Sequence, residues 1–336
     1  MTSQNYPLAL SVPKILIIRF SSIGDIVLTT PVIRWLKNQM AGAQIHYLTK
    51  KNFAGILEAN PYLDKIYSIQ KTTRELLVDL KKEQYDYVVD LHNNLRSLTV
   101  KTYLNVPSFS VKKYHFQRLQ MVWFKNRTPF AGHVVERYLS CLGPLNIHDD
   151  GLGLDYFIPD ESAMNSEQLG GLEPRQYTAL VIGAKHYTKR LPIEKLKELV
   201  QQIPGKIILL GGKEDLKIAE ELSSLHPEKI SNACGKLSLH ESAFMIKNAQ
   251  VVISHDTGLM HIAAAFQKTI ISIWGGTVPE LGMTPWMPQN MNLSHIVEVK
   301  NLRCRPCSKI GRNDCPEKHF KCMRDIPISE IVQKMP

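Results

Sequence analysis

Short clusters of chemically capable residues stand just beyond apolar runs in this chain. Ser21-Ser22-Ile23-Gly24-Asp25 follows KILIIRF. Gly24 permits close backbone approach there, and Asp25 falls where a helix would begin. Its carboxylate therefore has two readings. It caps a positive helix end, or, facing a cleft within hydrogen-bond reach of a hydroxyl, it takes that hydroxyl's proton as a general base. Asp256-Thr257-Gly258 follows VVISH, with His261 one turn further on. A strand-to-helix turn of this kind presents the backbone N–H groups of Thr257 and Gly258 to an anion. The plainer reading makes Asp256 and Thr257 caps and His261 a hydrogen-bonded core histidine.

HYTKRLP after YTALVIGA offers Lys189 and Arg190 to phosphate charge, and with the Asp256 turn it would make two sides of a phosphate clamp; a solvated basic loop is the alternative. Gly211-Gly212-Lys213-Glu214-Asp215 follows KIILL but lacks the G-x-x-x-x-G-K-[ST] order of a P-loop, leaving Glu214 or Asp215 to bond a ribose hydroxyl. His92, Asn93 and Arg96 follow the run YDYVVDL and fall at another strand end.

Holding these loops in place requires strands. KILIIRF, QIHYLTK, KIYSI and YDYVVDLH read as four β-runs, separated by the helical spacing of IVLTTPVIRWLKNQM and RELLVDLKKEQ. A second alternation runs from YTALVIGA through LPIEKLKELVQQI, KIILLGG, EDLKIAEELSSL, SLHESAFMIKNA, VVISHD and GLMHIAAAF to TIISIWGG. Continuous apolar strands alternating with amphipathic helices predict parallel sheets covered on both faces, an α/β chain of two doubly wound halves. Ligands then belong at the carboxyl ends of the strands. The Gly-, Pro- and acid-rich stretch from Ile147 to Arg175 reads as the linker, dividing the chain into 1–160, 175–325 and a terminal helical segment at 326–336.

Composition narrows the class. The chain has 336 residues, 44% hydrophobic and 21% charged, more than one core usually supports and too apolar for disorder. No apolar run reaches membrane-spanning length and the first residues lack the order of a secretory signal, so a cytoplasmic location is expected. The net charge of +10 favours an anionic partner. From Lys101 to Ser140 the basic residues Lys101, Lys112, Lys113, Arg118, Lys125, Arg127 and Arg137 meet one acid, Glu136, which is a positive patch or a solvated face. Regular aromatic interleaving and any recognised nucleic-acid module are missing, which argues against a nucleic-acid binder. No G-x-G-x-x-G follows the first strand, against a nicotinamide or flavin oxidoreductase, and no two Asp are separated by a single residue, so a nucleotide-sugar reaction here would run without a divalent metal held that way. Cys304, Cys307, Cys315 and Cys322 form a C-x2-C-x7-C-x6-C set that raises structural zinc, reduced thiols or a labile disulfide.

RFSSIGDIVLTTPVIRWLK, GAKHYTKRLP and GKLSLHESAFMIKNAQVVISHDTGLMHIAAA, in this order and spacing, resemble glycosyltransferase family 9, the ADP-heptose:lipopolysaccharide heptosyltransferases, over nearly the whole chain. The resemblance implies a GT-B fold, two Rossmann-like domains facing across a cleft, and inverting transfer of heptose from ADP-heptose to the lipopolysaccharide inner core. It implies Asp25 as general base. It also implies Lys189, with the backbone donors of Thr257 and Gly258, as stabiliser of the diphosphate leaving group. Asp256 and His261 would fix the donor sugar and its phosphates, and Leu237 and Glu214 would lie near the adenosine. The amino-terminal domain would receive the lipid A and Kdo acceptor, with Ser21, Ser22, Gly24, His92, Asn93 and Arg96 on that side. Lys112, Lys113, Arg118, Lys125 and Arg127 have the right sign for an anionic acceptor and for peripheral contact with the inner membrane leaflet. No cofactor beyond the donor substrate is implied, zinc at the cysteines remaining an open alternative. Another nucleotide sugar is the competing donor.

Overall fold

A computed structural model describes residues 12–162 and 172–336. The first eleven residues, and residues 163–171 of the expected linker, lie outside the described residues. The chain forms two compact units, one of residues 12–113 with Gly132–Phe157, the other of Tyr114–Ala131 with the residues from Ile158 to Pro336.

In the first unit, β1 (Lys14–Ile18), β2 (Gln44–Lys50), β3 (Lys65–Ile69), β4 (Tyr87–Asp90) and β5 (Ser108–Ser110) form a parallel sheet in the order β3-β2-β1-β4-β5. Ile17 of β1 stands beside Tyr47 on one side and Val89 on the other. Buried on both faces, β1 and β4 read as unbroken apolar runs, as a parallel sheet under two helical layers requires. Because strand order reverses between β1 and β4, the loops that leave their carboxyl ends diverge there and open a crevice.

The helical pattern following β1 resolves into two helices, Ile23–Val27 and Thr30–Gln39. Pro31 has no N–H for the carbonyl of Val27 and disfavours helical backbone at the residue before it. The hydroxyl of Thr30 takes that carbonyl instead, at 2.7 Å. Arg34 on the second helix is 2% exposed and ion-pairs with Asp150 at 2.7 Å and with Asp155. This pins residues 150–155 to the first unit, so the linker region read from Ile147 begins inside it. Tyr114–Ala131, read with the first half of the chain, groups with the second unit, where Met121 and Phe130 pack with Val278 and Leu281.

The second unit holds β6 (Tyr177–Val181), β7 (Lys206–Leu210), β8 (Ile230–Asn232), β9 (Val251–His255), β10 (Thr269–Trp274) and β11 (Ser294–Glu298), all parallel, in the order β11-β10-β9-β6-β7-β8. Its switch point lies between β6 and β9. The terminal helix Ile328–Gln333 docks on helix Ile193–Gln202, placing Ile328 and Ile331 in the core with Leu196, Leu199 and Val200. Among the described residues, no helix is long and apolar enough to cross a membrane.

Candidate functional site

The two switch points are where the chemically capable residues gather. In the first unit, Arg19 leaves the end of β1 and donates from Nε to the carbonyl of Ser21 at 2.9 Å and from Nη1 to the carbonyl of Leu91 at 2.6 Å, so one guanidinium ties the β1 loop to the β4 loop. Its remaining nitrogen, Nη2, stands 2.5 Å from Oδ1 of Asp25. The other carboxylate oxygen accepts from the backbone N–H and hydroxyl of Ser22, at 3.1 and 2.7 Å. Asp25 therefore does cap its helix, and it is also held by a half-buried cation while its side chain keeps 25% exposure. Donors on both oxygens fix the carboxylate's direction, which is what a group waiting for a hydroxyl needs. Gly24 is buried beneath this turn.

His92 belongs to the same cluster. Its ring meets Phe20 edge-on at 5.0 Å, and its Nδ1 is buried with no hydrogen-bond partner among the described residues. Burial, followed by the charges of Arg19 and Lys113, pushes its pKa down to about 4, so near neutrality it is an uncharged imidazole that accepts or donates without repelling Arg19. Asn93 has φ 47°, in the left-handed region that Asn tolerates. The turn is held by the fully buried Asp90, which accepts from the N–H groups of His92 and Asn93 at 3.0 and 2.6 Å and pairs with Lys101 at 2.9 Å. Arg96 is exposed on the first turn of helix Leu95–Leu104 and is not drawn into this network by any contact described.

In the second unit, Lys189 ends a tight turn at Tyr187–Lys189, and its ammonium lies 2.6 Å from the carboxylate of Asp256 and 3.3 Å from the carbonyl of the same residue. Thr277 donates from its hydroxyl to the Asp256 carboxylate at 2.9 Å, so the loops after β6, β9 and β10 converge on one aspartate. Thr257 is the N-cap of helix Gly258–Ala265 and makes no side-chain cap bond. The first-turn N–H groups have no acceptor within the helix, and with the macrodipole they form a positive end next to Lys189, an arrangement suited to a phosphate. His261, one turn along, is 2% exposed on the helix's inner side. Leu237 is half-buried just before helix Leu239–Asn248.

The structure separates two pairs of neighbours that sequence left equivalent. Asp215 is 1% exposed, accepts from the N–H of Gly212 at 2.9 Å and pairs with Arg190 at 3.2 Å, whereas Glu214 is exposed. Of the two acids, Glu214 is the one whose side chain reaches solvent. Arg190, expected beside Lys189 against phosphate, turns away to Asp215 and to the carbonyl of Ala184. Its charge satisfies a buried carboxylate that would otherwise stand uncompensated.

Other groups act behind this site and escaped the reading of motifs. Arg305 is 2% exposed and donates to the carbonyls of Trp274, Gly275, Thr277 and Val299 while pairing with Glu298 at 2.7 Å. Every carbonyl of the turn after β10 that it holds lies within three residues of the Thr277 hydroxyl on Asp256. His255 accepts from the N–H of Leu191 at 3.0 Å and latches the end of β9 to the chain beyond Lys189. The cysteine-rich segment closes over the back of the Lys189 turn. Thr188 exchanges bonds with Arg312, Tyr187 stacks on Phe320 at 4.7 Å, and Cys307 lies so close to Gly276 that a Cβ there would stand 2.9 Å from its sulfur. All six cysteines are free thiols, and among the described residues no three His, Cys, Asp or Glu side chains are grouped to hold a metal ion.

Residues 73–313 match the model of glycosyltransferase family 9 (heptosyltransferase). Lipopolysaccharide heptosyltransferase 3 of Escherichia coli K12 is 28% identical over 294 residues, 78% of this chain and 82% of that protein. Lipopolysaccharide heptosyltransferase 1 of Campylobacter coli is 27% identical over 289 residues, 79% of this chain and 84% of the relative. Among solved structures, the E. coli ADP-heptose lps heptosyltransferase II superposes with a TM-score of 0.72 at 18% identity, covering 96% of this chain and 97% of that one, which shows a shared fold.

Proposed function

Since the chain belongs to glycosyltransferase family 9, the heptosyltransferases, we propose that its two switch points divide one reaction, transfer of heptose from ADP-heptose to the lipopolysaccharide inner core. The observation that carries the donor half is the Lys189–Asp256 pair, 2.6 Å apart beside the amino end of helix Gly258–Ala265. As the bond between C1 of the heptose and the phosphate oxygen breaks, charge grows on the departing ADP. Lys189 and the backbone N–H groups at Gly258 are aimed to receive it, so no divalent metal is required for that task. Asp256 pairs with Lys189 until phosphate competes for the ammonium, and with His261 it orients the sugar and its phosphates. Glu214, exposed where Asp215 is not, meets a ribose hydroxyl, and Leu237 offers apolar contact to the adenine.

On the acceptor side, the attacking hydroxyl gives its proton to Asp25 as its oxygen bonds C1 from the face opposite the leaving phosphate, so the anomeric centre inverts. Arg19 and Ser22 hold the carboxylate, while neutral His92, with Asn93 and the Ser21-Ser22-Gly24 turn, supplies the polar surroundings of the incoming sugar. Arg96 belongs to the same face by position alone. A lipid-anchored, anionic acceptor also calls for working at an anionic leaflet, which the surplus of basic residues suits.

Mass spectrometry of the product formed from ADP-heptose and a defined core acceptor tests the reading. It predicts acceptor heavier by one heptosyl residue, with ADP released in equal amount. ADP release without acceptor modification, or transfer from a different nucleotide sugar alone, overturns it.

A further inference from the structure

Helix His115–Phe124 turns its aromatic side outward. Phe116 is 64%, Trp123 66% and Phe124 73% exposed, and with Gln120 these positions fall on one helical face. The opposite face carries Met121, buried against Val278, Leu281 and Phe130. The helix is thus already anchored to its unit by one side, and its aromatics are not core residues left over. Single exposed apolar groups are ordinary, but three large aromatics on one face of a ten-residue helix are an interaction surface.

Charge tells what covers it. From Leu91 to Val135 the sequence contains no Asp or Glu. Lys125 is exposed immediately after Trp123-Phe124, its ammonium donating to the carbonyl of Pro306 at 3.0 Å. Lys309 lies near enough to Arg118 for that cation, after burial, to lower its pKa, and it is followed by Ile310, itself 61% exposed. Arg127 does not contribute, because Glu280 and Glu298 neutralise it at 2.8 and 2.7 Å. Two stretches far apart in sequence thereby bring apolar tips and cations to one region. Aromatic rings flanked by lysines suit the boundary between headgroups and acyl chains of an anionic bilayer, where the rings settle among the acyl chains and the ammonium groups meet phosphates.

We infer that Phe116, Trp123, Phe124 and Ile310, framed by Lys125 and Lys309, form the surface by which this protein docks on an anionic lipid bilayer. The inference rests on the reading of a lipid-anchored acceptor and names the part of the chain that reaches the membrane. None of these residues belongs to either switch point, so docking and transfer are separable.

Flotation with vesicles of phosphatidylglycerol and phosphatidylethanolamine tests it, with phosphatidylcholine vesicles as the neutral control. The wild-type protein is expected to float with the anionic vesicles at low salt and to dissociate as salt rises. The Trp123→Ser/Phe124→Ser variant should partition at least about tenfold more weakly, and Lys309→Gln should bind more weakly at low salt and lose part of the salt response. Both variants should melt as the wild type does and retain its thermal shift with ADP, which separates lost docking from lost folding. On detergent-dispersed acceptor they should turn over at the wild-type rate, while turnover on vesicle-embedded acceptor falls. Equal flotation of wild type and the aromatic variant, equal binding to phosphatidylcholine, or no binding by the wild type overturns the inference. Failure of transfer with detergent-dispersed acceptor by the wild type itself would instead count against the proposed reaction and leave the flotation result standing.

Discussion

At the scale of single residues, the account turns on a carboxylate whose direction is set by an arginine. With one oxygen on Arg19 and the other on Ser22, Asp25 is held before substrate arrives. Replacing Arg19 with Ala should lower kcat by about 10- to 100-fold with little change in ADP affinity, and Arg19→Lys, which keeps the charge but loses the fork, should recover only part of it. Titration calorimetry with ADP beside transfer kinetics checks this, and equal losses in both would mark Arg19 as merely structural. Lys189→Ala removes the ammonium aimed at the leaving diphosphate and should weaken ADP binding or turnover by about 10- to 1,000-fold, read in the same two measurements. The placement of Asp25, Lys189 and Asp256 in loops beyond the carboxyl ends of strands was legible from the apolar runs before them. Arg19 and Arg305 were not, since the motifs around them drew attention to Asp25 and to the cysteines instead. A cation taken out of water beside apolar residues must find an anion or several carbonyls, but which arginines are so placed is decided by tertiary contacts.

At the scale of elements, the loops that carry the site are held by buried polar groups. Arg305→Ala would strand four carbonyls and break a buried ion pair, so a loss of about 3–5 kcal/mol is expected, seen as a lower melting temperature and a weaker thermal shift with ADP. His255 gives a pH signature. Complete burial drives its pKa from 6.5 down to about 4, so between these values the unfolded chain binds the extra proton and the folded one does not. Stability therefore falls as pH drops through that window, by up to about 3 kcal/mol from this residue. Urea midpoints measured from pH 7 to pH 4 should show the decline, and His255→Gln should flatten it. Of the strands that sequence revealed, all but the edge strand β3 lie inside a sheet and carry a mostly buried apolar run. The three it concealed, β5, β8 and β11, are all edge strands, two of them only three residues long, with half-exposed positions that break the apolar run. Helices Leu95–Leu104 and His115–Phe124 escaped for a related reason. Leu95, Leu98, Phe116, Trp123 and Phe124 point to solvent, so apolar spacing does not mark the buried face.

At the scale of the whole molecule, two parallel sheets each reverse strand order once, and the proposed reaction draws a different half of its chemistry from each reversal. In the proposed reaction the first unit supplies a base and the second an anion site, and the assignment of Tyr114–Ala131 to the second unit shows that the division does not follow a single cut in the sequence. That interleaving could not be read from composition, because membership in a unit is decided by contacts such as those of Met121 with Val278 and Leu281, more than 150 residues away. If the halves are distinct, one substitution should remove one of them alone. The direct test is Asp25→Asn in the full-length protein, an isosteric change that keeps a polar cap on the helix, measured for ADP affinity by calorimetry and for heptosyl transfer under single-turnover conditions. The account predicts ADP affinity within about twofold of wild type and transfer slower by about 100-fold or more. Transfer at the wild-type rate would contradict it.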